Sequence, residues 1–145
     1  MRQRASGRLV LGLVIAVVIA AAATVVAETG PGGITITEIA MASSMLNGVP
    51  ETTATSFPRT GGWIYCFVRL ENPSAAETSI LVSFERATSG DPAAGVTGTP
   101  LAVPARPRYR TFARTGSQKP AGSYRCVVRD SAGSVLESTP FEITE

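Results

Sequence analysis

Two cysteines, Cys66 and Cys126, stand 60 residues apart, and each lies inside a run that alternates like a β-strand. Joined, they would oblige every other segment to pack around one cross-link. In Trp63–Leu70 the alternation puts Ile64, Cys66, Val68 and Leu70 on one face and Trp63, Tyr65, Phe67 and Arg69 on the other. Both faces are largely apolar, which marks a strand in the middle of its sheet with something lying over its aromatic side. In the second run Tyr124, Cys126 and Val128 share a face, while Arg125, Val127 and Arg129 point the opposite way.

Whether the cysteines pair depends on the compartment. The chain opens with Arg2, Arg4 and Arg8 and no acid, then stays uncharged from Leu9 to Ala27. A basic segment before an apolar one is the pattern of an export signal, and Val25-Val26-Ala27 offers small residues for cleavage before Glu28. The 19 residues from Leu9 to Ala27, at about 1.5 Å each, also span about 28 Å, close to a bilayer core. Residues 9–27 therefore fit an uncleaved membrane anchor as well as a signal peptide. Either way the arginines hold the N-terminus inside, and the rest is expected in the periplasm, the cell envelope or outside the cell. In such an oxidising location two cysteines are expected to form a structural disulfide.

Of the 13 basic residues three lie in the first 27, whereas all 11 acids lie beyond, so the remainder carries a net charge of −1. A high pI belongs to the targeting segment, and nucleic acid is not an expected partner. Residues 28–33 read as a flexible tether, and residues 34–145 as one β domain.

Within that domain Ile34–Thr37 alternates, and the apolar phase then shifts across Glu38 to Ile39 and Met41, as a bulge or a sheet-switching strand would require. Residues 42–61 show no sustained period and are expected to form a long covering loop; Asn47-Gly48 marks a turn, and Pro50 and Pro58 argue against a central strand. Ser79–Arg86 returns with Ile80, Val82 and Phe84 inward, an expected hairpin partner of the preceding strand. A weak strand near Val96–Val103, an alternating Tyr109–Arg114, a tight Asp130–Gly133 loop and a final Val135–Ile143 complete the pattern. About seven short strands without a helical period after residue 27 predict an all-β, immunoglobulin-like β-sandwich, preceded by the N-terminal signal or anchor helix. Tyr124, two residues before Cys126, fits a tyrosine corner, whereas Trp63 precedes its cysteine and departs from the antibody pattern.

Arg108-Tyr109-Arg110-Thr111, Lys119–Arg125, Arg129–Leu136 and Phe141 together resemble the C-terminal signature of domain of unknown function 2914, a family of exported bacterial proteins. Asn47–Phe57 and Ile64–Asn72 are similar to upstream parts of it. At Ser83–Arg86, where family members commonly show a histidine and a tryptophan, this chain has neither. The resemblance implies an exported bacterial β domain and supplies no activity.

Catalytic chemistry finds little purchase. Without histidine no Ser-His-Asp or Cys-His arrangement can form, and the one lysine, Lys119, sits in a turn with Ser117. Two cysteines without histidine make neither a zinc site nor a C-x-x-C redox pair. The expectation is a non-enzymatic protein without catalytic residues, metal or cofactor; the enzymatic rival would use two of Glu71, Glu77, Glu85, Asp91 and Asp130 on envelope glycan. Two surfaces remain. Arg108, Arg110 and Arg114 share a strand face, as do Arg125 and Arg129, and if these adjoin they form a ladder for carboxylates or phosphates. Trp63, Tyr65 and Phe67 form an aromatic patch, exposed for a ligand or covered by residues 42–61. The expected function is a binding or structural module of the bacterial cell envelope, acting on a protein or an anionic envelope polymer; the alternative is a membrane-anchored sensor or assembly subunit.

Overall fold

The computed structural model describes residues 33–87 and 98–145. The expected signal or anchor, most of the tether, Asp91 and the approach to residue 98 lie outside them. The described residues form nine strands and no helix: β1 (Thr35–Leu46), β2 (Val49–Thr53), β3 (Ser56–Pro58), β4 (Trp63–Glu71), β5 (Thr78–Arg86), β6 (Thr99–Val103), β7 (Arg108–Gly116), β8 (Gly122–Arg129) and β9 (Val135–Thr144). They pair as two sheets, β2-β1-β4-β7 and β3-β9-β8-β5-β6.

Alternation explains the layering. The inward residues of β4 (Ile64, Cys66, Val68 and Leu70) meet those of β5, β8 and β9 (Ile80, Val82, Val128, Phe141 and Ile143) in one core from which water is excluded. Each aliphatic or aromatic side chain among them contributes about 1.5–3 kcal/mol by leaving water. The disulfide Cys66–Cys126 runs through this core from β4 to β8, with Cα atoms 6.5 Å apart, and so links the two sheets. A covalent link of this kind is compatible with an oxidising compartment.

The tyrosine corner is present: the Tyr124 hydroxyl donates to the Pro120 carbonyl at 2.6 Å. Gly122 permits it by adopting φ +147°, and a Cβ there would stand 3.2 Å from the Arg86 guanidinium. Tyr124→Phe removes the donor and strands a carbonyl, so urea unfolding should show a loss of about 1–2 kcal/mol with an unchanged slope.

Three local expectations need correction. Residues 42–61 are not a loop: β1 continues to Leu46 and folds back through Asn47-Gly48, both at positive φ, into β2. Two successive left-handed residues form the tight turn whose twist matches a hairpin. Pro50 and Pro58 do fall on edge strands, β2 and β3, where a missing amide costs no ladder bond. The phase shift in β1 appears as a register shift between Ile36 and Glu38.

Second, β5 is not the hairpin partner of β4. Asn72, fully buried, donates from Nδ2 to the Ala76 and Pro104 carbonyls at 2.8 and 3.4 Å, and its backbone amide bonds Pro107. These bonds hold the chain in an arch between sheets, and β5 pairs with β6 and β8 instead. Third, Val127 and Arg129 are buried although they point away from the core.

Candidate functional site

The outer face of the four-stranded sheet gathers most of the chemistry. Along the β4–β7 ladder Tyr65 stands opposite Arg114, Phe67 opposite Phe112, Arg69 opposite Arg110 and Glu71 opposite Arg108. The two surfaces expected separately, Arg108, Arg110 and Arg114 and the aromatic residues of β4, are therefore one surface. Tyr65 and Phe112 meet edge to face with centroids 5.8 Å apart. The Arg114 guanidinium lies 4.2 Å from the centroid of the Trp63 ring, a cation held on an aromatic quadrupole.

Exposure divides the aromatics. Trp63 is 49% exposed and Phe112 38%, whereas Phe67 is fully buried. The β1–β2 hairpin accounts for the direction of cover. β1 leaves β4 level with Tyr65, yet Asn47 at the hairpin tip accepts a 3.5 Å bond from Arg110, which stands level with Arg69. The tip thus turns back past Phe67. Phe67 is accordingly removed from the exposed patch, and Phe112, which stands opposite it on the outward face of β7 between the arginines, takes its place.

Charge on this face is unbalanced. Arg69 pairs with Glu38 at 3.3 Å and Arg108 with Glu71 at 3.9 Å, both at exposed sites where such pairs contribute little. Among the described residues no carboxylate forms a salt bridge with Arg110 or Arg114. Two guanidinium groups beside exposed rings remain able to take a carboxylate or a phosphate.

The five-arginine ladder does not exist. β7 belongs to one sheet and β8 to the other, so Arg125 and Arg129 lie on the opposite side of the molecule from Arg108, Arg110 and Arg114. Ser117 helps make that crossing: it is buried, its hydroxyl donates to the Arg59 carbonyl at 2.9 Å and accepts from the Gly62 amide at 3.0 Å. Both lone functions of that hydroxyl are structural. Arg125 is exposed beside a shallow groove of about 520 Å³ lined also by Thr55, Ser56, Ser123 and Glu142.

Arg129 has a different role altogether. Its side chain is 8% exposed and donates to Glu85 at 2.7 Å and to the Ser83 hydroxyl at 3.0 Å, while Ser83 donates to Glu85. The Arg129 bond holds the Glu85 carboxyl below the ordinary glutamate range, with Ser83 assisting and partial burial opposing. The signal was present in the sequence, as Ser83, Glu85 and Arg129 all fall on outward strand positions, but only pairing brings them together. Asp130 is likewise structural through Oδ1, which accepts from the Ala132 and Ser134 amides at 2.9 Å each. Glu85 and Asp130 are therefore not free, exposed carboxylates. Among the described residues no cluster of three metal-ligating side chains occurs.

No protein-family model matches the chain, and no curated protein matches it. Among solved structures, the alkylpurine DNA glycosylase AlkC of Pseudomonas fluorescens, bound to DNA containing an abasic-site analogue, is similar at 17% identity with a TM-score of 0.52. The match covers 77% of this chain and 30% of that one. An immunoglobulin-like protein from Pseudomonas aeruginosa matches at 16% identity and a TM-score of 0.49, over 77% of this chain and 96% of that one. A β-D-glucoside glucohydrolase from Trichoderma reesei matches at 14% identity and 0.44, over 77% and 19%. This chain spans less than a third of the glycosylase, and similarity at such identity concerns the fold alone. What fold and surface define together is a disulfide-linked, two-sheet β protein with an arginine-aromatic face.

Proposed function

We propose that the protein is a non-enzymatic binding module of the bacterial cell envelope, built on an immunoglobulin-like sandwich of the domain of unknown function 2914 kind and exported by its N-terminal segment. The observation that supports this reading most directly is the pair Arg110 and Arg114, without carboxylate partners among the described residues, standing beside exposed Trp63 and Phe112 on one sheet face. Such a face recognises an anionic partner: the guanidinium forks match carboxylate or phosphate oxygens, and the rings supply apolar area.

The test is retention on surfaces coated with polyglutamate or with polyphosphate, which separates the two anion chemistries. Arg110→Glu/Arg114→Glu should weaken binding to the favoured polymer about tenfold or more, while Arg125→Glu, on the other sheet, should leave it unchanged. Equal retention of the double variant and the wild type would remove the support for this face, as would equal losses from either substitution.

A further inference from the structure

Four strands form the edges of the two sheets among the described residues: β2 and β7 in one, β3 and β6 in the other. Exposed edges present unpaired amides and carbonyls to any passing strand, and folded proteins blunt them. Three of these four are blunted in the same way. β2 has 5 residues and contains Pro50, β3 has 3 and contains Pro58, and β6 has 5 and contains Pro100.

β7 differs in every respect. It has 9 residues, no proline, and an unbroken register with β4 from Arg108 to Gly116. Its other side has no strand partner among the described residues. A long, regular edge is a template for another strand. Its outward positions are Arg108, Arg110, Phe112 and Arg114.

These arginines decide what can dock. In an antiparallel pairing of two copies centred on Phe112, Arg110 would face Arg114; centred on Thr111, Arg108 would face Arg114. Like charges directly opposite oppose pairing, so the edge repels its own copy. A strand carrying carboxylates at alternate positions meets the opposite condition, because residues facing one another across a ladder bring their Cβ atoms to about 4.5–5.5 Å.

We infer that the free edge of β7 is a docking site for an extended acidic segment of a protein partner, which adds to the sheet as a strand and places alternate carboxylates against Arg108, Arg110 and Arg114. Main-chain bonds along β7 supply attachment, and the arginines select sequence. The inference rests on the anion-binding reading of this face and names its ligand class.

The experiment uses the full chain in mild detergent and a fluorescent peptide as long as β7, alternating glutamate and threonine. Two further peptides carry N-methyl groups on alternate amides, one for each edge, which removes donors without changing charge. Anisotropy should show that the parent peptide binds and that one methylated version binds about tenfold or more weakly. Amide exchange should slow at alternate residues of β7 when the parent is bound. Arg110→Glu/Arg114→Glu should weaken the parent about tenfold, with an unchanged circular dichroism spectrum.

Parent-like binding by both methylated peptides, or unaltered exchange in β7, would overturn strand addition. If polyglutamate or polyphosphate still binds in an Arg110- and Arg114-dependent way, the anion-binding face stands and the edge site alone falls. If neither polymer nor peptide binds, both fall.

Discussion

Replacing Cys66 and Cys126 together by alanine should cost about 2–5 kcal/mol, the usual loss for a native disulfide in a small domain. The closed span of 60 residues corresponds to about 4 kcal/mol on the chain-entropy account. Domains of this size have only about 5–15 kcal/mol of stability, so the variant should unfold at markedly lower urea. Both sulfurs sit where no water reaches, at the meeting of β4 and β8, and alanine leaves small voids there besides. A thiol-alkylating reagent should label neither cysteine of the native protein until a reductant is added. Labelling of both without reductant would remove the cross-link, and with it the account of how the sheets are joined.

Arg129→Ala should be comparably costly, about 3–5 kcal/mol, because it takes the guanidinium from the Glu85 carboxylate, which keeps only the Ser83 hydroxyl as a donor, and leaves the buried Ser83 oxygen without the bond it accepts. The pair as a whole is worth much less than that figure. Arg129→Met/Glu85→Leu removes both charges and should recover most of the loss, since a packed apolar pair substitutes well for a buried ion pair. A urea double-mutant cycle separates the two cases. If the double variant is as unstable as Arg129→Ala, the pair has a role that burial and charge do not explain.

The same pair sets a pH dependence. Because the folded protein holds Glu85 below its ordinary value, the stability this group contributes is fully present above the unfolded value, about 4.3. It declines as pH falls through and below that point toward the folded value. Urea midpoints measured across that acid range should therefore fall less steeply for Glu85→Gln than for the wild type. Parallel profiles would show that Glu85 is not a contributor.

The arginine-aromatic face illustrates how legible a site can be in pieces and illegible as a whole. That Arg108, Arg110 and Arg114 share a face follows from strand period, as does the grouping of Trp63, Tyr65 and Phe67. Their union depends on Tyr65 lying opposite Arg114, a register between residues far apart in the chain. Likewise Arg125 and Arg129 share a strand face by period, yet one is exposed and the other buried against Ser83 and Glu85. Periodicity ranks positions by face and is silent about what lies over that face.

Sequence alone determined the strands that carry Cys66 and Cys126, the inward set from Ile64 to Leu70, the Asn47-Gly48 turn and the Tyr124 corner, because each follows from local alternation or backbone preference. Tertiary structure decided which sheet each strand joins. An inward-facing strand satisfies its burial equally in either layer, so nothing local tells β5 to cross from β4 or β8 to cross from β7. That choice, made by buried anchors such as Asn72 and Ser117 and by the disulfide, put three arginines beside the rings and carried Arg125 and Arg129 to the far side.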